Sequence, residues 1–244
     1  MIKGLLPSDN IKVKFRPNHR NTFGLNFGLP KNGGTCPGAT TGKGGCLDVR
    51  DGRLRPTCYM AKITQIYKAV GKVLNDNSAK LVGQSREKMV EVLKTTFKEF
   101  TDRNEEKYWF YRLLYSGDVF SEDFAEALAE ACAAFPKVKF WVYTRSHGFA
   151  HILVKASNLA VYLSVDPVNL DGGMKVYDKL KTKYNNIALA YLGPATDKGV
   201  KFVGCPETHG KVKNTDDAGA CSKCKLCYTF NDRIKLRHIG FKIH

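Results

Sequence analysis

Between residues 108 and 204 the chain alternates short apolar runs with amphipathic ones, and this alternation limits the fold more than any other feature. YWFYRLLYS (108–116), VKFWVYT (138–144), LAVYLSV (159–165), NIALAYLG (186–193) and VKFVG (200–204) read as strands. SEDFAEALAEACAAF (121–135), a short stretch around 148–156 and MKVYDKLKTKY (174–184) separate the first four and read as helices. Ser121 is placed to cap the first of these helices and Pro136 to end it. Strands separated by helices of this size form βα units and a mainly parallel sheet. Several strands are apolar through most of their length, as expected where both faces are covered. Two more helices are predicted ahead of them, from Tyr59 to about Leu74 and from Ser85 to about Asp102, and NTFGLNFGL (21–29) offers an additional strand. The expected fold is α/β, a partial or complete (β/α) TIM-like barrel with cysteine-rich N- and C-terminal extensions (29–58 and 205–228), in one domain spanning 1–244. A doubly wound open sheet is the alternative, and periodicity does not separate the two.

The cysteines avoid that alternating region. Of eight, only Cys132 lies within it, in a helical pattern where a small buried residue is the ordinary choice. Cys36, Cys46 and Cys58 fall in or beside a Gly/Pro-rich stretch, Leu29 to Pro56, that has no periodicity and is too long for an idle loop. Cys205, Cys221, Cys224 and Cys227 fall near the other end. A chain with a sizeable core and no export signal does not need disulfides, so clustered thiols point to a metal. Cys221-x2-Cys224-x2-Cys227 lets one tight loop aim three sulfurs at one centre, the local run of ferredoxin-type iron–sulfur sites, whose fourth ligand is a Cys-Pro. Cys205-Pro206 and Cys36-Pro37 are both such dipeptides. Zinc held by four thiolates is the competing reading. The N-terminal trio is looser, but Cys58 opens a helix, whose backbone N–H groups favour an anionic ligand. Seven cysteines are one short of two complete four-cysteine sites, so one or two 4Fe-4S clusters are expected. With two, one iron is left for a non-cysteine ligand.

Charge follows the same partition. The 244 residues carry 39 Lys+Arg against 23 Asp+Glu, a net of +16. Residues 1–73 hold 13 basic and 3 acidic groups, residues 198–244 hold 10 and 4, and the segment between them is neutral. The cysteine-rich ends therefore carry the whole excess, which attracts nucleic acid or another anionic partner. With 43% hydrophobic and 25% charged residues the chain is globular in composition. No apolar run reaches the roughly 18 residues of a membrane span, and the first ten residues lack a signal peptide's apolar centre. A cytoplasmic location is expected.

TCPGAT (35–40), Cys46, Cys58-Tyr-Met-Ala-Lys, the YSGD and YTRS segments and the terminal C-x2-C-x2-C-Tyr resemble the phage "gene product 88" family over most of the chain. The resemblance implies a phage-encoded protein, acting in the host cytoplasm, rather than a defined reaction. A more distant resemblance is to radical S-adenosylmethionine (SAM) enzymes, which hold a 4Fe-4S cluster through three cysteines after the first strand of a partial βα barrel. Cys36, Cys46 and Cys58 occupy the corresponding position, and Ser116-Gly117-Asp118 stands where that family often has Gly-Gly-Glu. The compact C-x3-C-x2-C motif and the Gly-Gly-Glu itself are absent, so SAM loses its usual contacts.

In parallel α/β folds, ligand-binding groups gather at the C-terminal ends of strands. Those ends carry Ser116 and Asp118; Thr144, Arg145, Ser146 and His147; and Ser164 and Asp166. Ser116, Asp118, Arg145 and Asp166 are the candidate cofactor-binding residues, although ordinary turns use the same residue types. Arg145 suits an anionic ligand. His209, in Cys-Pro-Glu-Thr-His, is a further candidate ligand or a surface histidine. The basic and apolar stretch 233–242 reads as a half-buried terminal strand, or as a nucleic-acid contact with Phe241 stacking on a base.

Overall fold

In a computed structural model that describes residues 2–8, 10, 12–50, 53–54, 58–193, 199–231 and 233–241, six strands form one curled, all-parallel half-barrel sheet. A small antiparallel hairpin, β1 (Val49–Arg50) and β2 (Arg53–Leu54), precedes three helices: α1 (Tyr59–Ile66), α2 (Lys68–Ala79) and α3 (Arg86–Arg103). The sheet then alternates with helices as β3 (Phe110–Arg112), α4 (Glu122–Ala133), β4 (Lys139–Thr144), α5 (Ala150–Leu153), β5 (Leu159–Val165), α6 (Leu170–Leu180) and β6 (Ile187–Leu192). The chain closes with β7 (Val203–Gly204), α7 (Ala220–Cys224) and β8 (Ile239–Phe241). The strand order is β3-β4-β5-β6-β8-β7.

Alternation along the central strands explains why both faces are buried. Phe140 and Val142 of β4, Val161 and Leu163 of β5, and Ile187 and Leu189 of β6 pack against α3 to α6 in the main core. The residues between them, Trp141, Ala160, Tyr162, Ala188 and Ala190, face the other way into a second core with Val13, Tyr228, Leu236 and Ile239. On that second face Tyr143, Tyr162 and Ala188 lie in one row across β4, β5 and β6. Two of the helices start at capping serines, Ser121 as expected and Ser85 besides. Ser121 Oγ accepts from Phe124 N at 3.1 Å, and Ser85 Oγ accepts from Lys88 N at 3.3 Å.

The structure corrects several expectations. Of the partial or complete barrel expected, the sheet forms a half-barrel and does not close into a TIM-like one. Its second face is filled by the chain's own N- and C-terminal segments, which occupy the space that further strands of a barrel would enclose. For the same reason the cysteine-rich segments are not separate extensions. Cys205 follows β7 directly, and β8 inserts between β6 and β7. The predicted 59–74 helix is two helices broken at Tyr67, whose backbone is extended (φ −111°, ψ 90°). Helix α6 begins at Leu170, not Met174, and so includes Gly172 and Gly173. Gly173 is there for close packing, since a Cβ would lie 2.3 Å from Val165 Cγ1. The additional strand at 21–29 appears as an extended segment beside β3, joined through Arg112 N to Asn21 O (2.9 Å), Tyr115 N to Phe23 O (3.0 Å) and Leu25 N to Ser116 O (2.8 Å). Among the described residues, no helix is long and apolar enough to cross a membrane.

Candidate metal centres

The loop carrying Cys36 and Cys46 lies across the C-terminal ends of β3, β4 and β5. Two contacts fix it there. A Cβ on Gly38 would stand 2.1 Å from Arg145 O, so only glycine lets the loop touch the end of β4. Thr40 Oγ1 donates to Asp166 Oδ2 at 2.6 Å beyond β5, and accepts from Cys46 N at 2.9 Å. Cys58 N donates to Cys46 O at 3.1 Å, which ties the head of α1 to the same loop. The three thiols thereby come close enough to feel one another. Burial, then Asp118, then Cys58 and Cys46 push the Cys36 thiol up, against a hydrogen bond with the Gly28 backbone. Burial raises Cys58 as well, while the N–H groups of Met60 and Ala61 at the head of α1, and Arg145, pull it down.

The four candidate cofactor-binding residues surround this loop, but most of their polar atoms are engaged within the protein. Ser116 Oγ donates to Leu25 O at 2.8 Å, holding the extended segment against β3. Asp118 accepts from Thr144 Oγ1 at 2.6 Å, from Val119 N at 2.7 Å and from Arg145 N at 2.7 Å, clamping the end of β3 to the end of β4. Its carboxyl is raised by burial, against those hydrogen bonds. Asp166 is fully buried and accepts from Val168 N, Thr40 Oγ1 and Arg145 Nη1, the last at 2.5 Å. Arg145 is the one of the four that both borders the thiols and keeps some exposure, 13% of its side chain. His147 turns away, its Nε2 3.0 Å from Ser164 O.

The second group is built on the face of the sheet opposite α3 to α6. Cys205 N donates to Gly240 O of β8 at 2.8 Å; Cys221 and Cys224 sit on α7, and Cys227 on the 3-10 turn Leu226–Tyr228. Lys225, in the left-handed conformation (φ 59°), reverses the chain between the last two. Cys205, Cys221, Cys224 and Cys227 line one cavity, walled by Leu226, Tyr228 and Ile239. Cys221 N and Gly219 N donate to Lys12 O and Lys14 O, each at 2.8 Å, so the two basic chain ends join beside this cavity. Burial first, then the neighbouring thiols, raise Cys227 and carry Cys221 up to about 11. Two groups act against this. Tyr143 Oη donates to Cys227 Sγ at 2.9 Å, and Arg112, whose guanidinium lies 5.3 Å from the Tyr143 ring centre, favours the thiolate of Cys221.

All eight cysteines are unpaired thiols, and Cys132 is wholly buried in α4, apart from both groups. Among the described residues no set of three or more His, Cys, Asp and Glu side chains converges tightly enough for a single metal ion. His209 lies against Gly204, where a Cβ would stand 2.7 Å from its Nε2, and does not line the cavity. Arg112, Tyr143 and Tyr162 are the residues that sequence reasoning passed over. The signal for Arg112 was a lone charge inside the apolar run YWFYRLLYS; Tyr143 and Tyr162 read simply as core aromatics.

The chain is 33% identical over 212 residues to the "Gene 88 protein" of Mycobacterium phage L5, covering 82% of this chain and 81% of that one. The "Gene 88 protein" of Mycobacterium phage D29 is 31% identical over the same length and shares. No solved structure matches the chain significantly. Nothing in the comparisons supports the resemblance to radical SAM enzymes. The profile of the Gene product 88 family matches residues 6–229, and the chain belongs to that family.

Proposed function

We propose that this is a phage iron–sulfur protein of the host cytoplasm, in which Cys205, Cys221, Cys224 and Cys227 hold a 4Fe-4S cluster against the half-barrel sheet. One observation carries the reading. Beside the four thiols, Arg112 Nε and Tyr162 Oη are buried without a hydrogen-bond partner among the described residues. Tyr162 neighbours Cys227 and Cys224, and Arg112 neighbours Cys221 and Cys227. Stranding two such polar groups in an apolar wall costs about 1–3 kcal/mol each, so the site calls for acceptors. Bridging sulfides of a cluster are acceptors, whereas a zinc ion adds none to its four thiolates. The four sulfurs also flank a cavity rather than meet at a point, which suits a core of several irons.

A bound cluster would supply one-electron transfer. The chain's own residues do the rest. The thiolates and core together carry about −2, which Arg112 offsets from within the wall. Tyr143 holds its hydroxyl proton on Cys227 Sγ, and Trp141, Tyr228 and Ile239 keep water from the face. Cys36, Cys46 and Cys58 offer three thiolates for a second cluster, with the remaining position open to a ligand beside Arg145. The joined basic ends favour an anionic partner, nucleic acid first, whose binding should weaken steeply with salt.

Absorption and electron paramagnetic resonance of anaerobically prepared protein test the reading. Cys224→Ala should abolish the broad visible absorption of the four-cysteine cluster and its reduced-state signal. An unchanged spectrum in Cys224→Ala, or a wild-type protein without visible absorption, contradicts it.

A further inference from the structure

A further candidate site, unrelated to the cysteines, lies where the loop 16–20 crosses the C-terminal end of α3. A cavity of about 70 Å³ there is lined by Arg16, His19, Arg20, Glu99, Arg103 and Tyr111, among others. Its rim is basic, three guanidinium groups against one carboxylate. Among the buried lining side chains are His19, at 2% exposure, and Tyr111, at 0%. Each keeps a polar atom without a partner among the described residues, His19 Nε2 and Tyr111 Oη.

The histidine's tautomer follows from its other nitrogen. Phe15 N donates to His19 Nδ1 at 3.1 Å, so Nδ1 is the acceptor and Nε2 carries the proton. Burial, then Arg16, push the His19 pKa down to about 4, against the opposing influence of the Tyr108 backbone. The buried part of the site therefore offers two neutral donors beneath a cationic rim. Arg16 Nη2 is already engaged, donating to Arg103 O and Asn104 Oδ1 at 3.1 Å, and Arg103 stands 3.8 Å from Glu99. Arg20 has no ion pair among the described residues. The backbone on either side of His19 is left-handed at non-glycine residues, Asn18 (φ 58°) and Arg20 (φ 44°), conformations that persist where the surroundings demand them.

We propose that this cavity binds a phosphate group, with His19 Nε2 and the Tyr111 hydroxyl donating to its oxygens and Arg20 and Arg103 supplying the charge. A cation would meet the arginine rim, and an apolar group would leave both donors stranded. The cavity holds a few water-sized groups, enough for a phosphate and too little for a nucleobase. The same chemistry is offered by free phosphate and by the terminal phosphate of a nucleic acid.

Calorimetric titration of the intact protein distinguishes these sources. One arm uses inorganic phosphate; the other compares a 5′-phosphorylated single-stranded oligonucleotide with the same oligonucleotide lacking the phosphate. Saturable one-to-one binding of inorganic phosphate, with both oligonucleotides equivalent, assigns free phosphate. Binding at least tenfold tighter for the phosphorylated oligonucleotide assigns the terminal group. In either case Arg20→Gln should weaken binding at least tenfold, and the His19 Nε2 resonance should move on saturation. Water is then the only occupant, and the proposal fails, if neither arm saturates or if Arg20→Gln and Arg103→Gln both bind as the wild type does.

Discussion

Replacing Asp166 with Asn tests how the N-terminal cysteine loop is held. The carboxylate has no exposure and accepts from Thr40 Oγ1 at 2.6 Å, from Val168 N at 2.9 Å and from Arg145 Nη1. Asparagine keeps the volume and one acceptor oxygen but removes the charge and turns an NH2 toward the arginine or the hydroxyl. Removing one partner of a buried pair costs about 3–5 kcal/mol. Arg145 retains 13% side-chain exposure, so water recovers part of that. The lower end, about 3 kcal/mol, is therefore expected from urea unfolding at neutral pH. The local effect is more specific. Cys46 N and Leu47 N both donate to Thr40, each at 2.9 Å, so releasing Thr40 should expose these two amides. Their hydrogen exchange should quicken by about a hundredfold, while amides of β5 change only as far as global stability does. Unfolding within about 0.5 kcal/mol of wild type, with Cys46 and Leu47 still protected, would refute the clamp.

Two further outcomes follow from single contacts. Tyr143→Phe keeps the ring on Arg112 and Tyr162 but removes the hydroxyl from Cys227 Sγ. Losing that donor should lower the reduction potential of the four-cysteine centre by tens of millivolts, on the order expected for one hydrogen bond to a ligating sulfur; an unchanged potentiometric titration would count against the assignment. His19, depressed from 6.5 to about 4, is neutral in the fold and protonated more readily when unfolded. Its contribution is thus complete above pH 6.5 and is lost as pH falls from there toward 4, about 3 kcal/mol in all. His19→Gln should remove that slope from the pH dependence of unfolding free energy, and a variant with the wild-type slope would contradict it.

The parts of the fold legible in the sequence were those where burial dictates residue type. β5 spans Leu159–Val165, the run LAVYLSV itself, because both of its faces are covered. Ser121 and Ser85 marked helix starts because an N-cap needs a side-chain acceptor. Packing between distant segments was not legible. Gly172 and Gly173 resemble a turn until the approach of Val165 is known, and nothing local announces that β8 enters the sheet between β6 and β7. The same division holds for the sites. Spacing alone grouped Cys221, Cys224 and Cys227, whereas the Cys-Pro rule nominated Cys205 and Cys36 alike, and the fold brings Cys205 to the same cavity. Asp118 and Asp166 were nominated by their place after a strand, yet they spend their oxygens tying strand ends and loop together. Arg112 and Tyr162 acquire meaning only once a face of the sheet is seen to lack partners for them.

Iron and acid-labile sulfide, quantified together on anaerobically purified protein, test the central claim most directly. The account predicts brown protein with equal iron and sulfide, about four of each per chain for the four-cysteine centre and about eight where the N-terminal trio is also filled. Cys132→Ala should leave both values unchanged, because that thiol is enclosed in the helix-covered core. Colourless protein containing zinc and no sulfide would contradict the account.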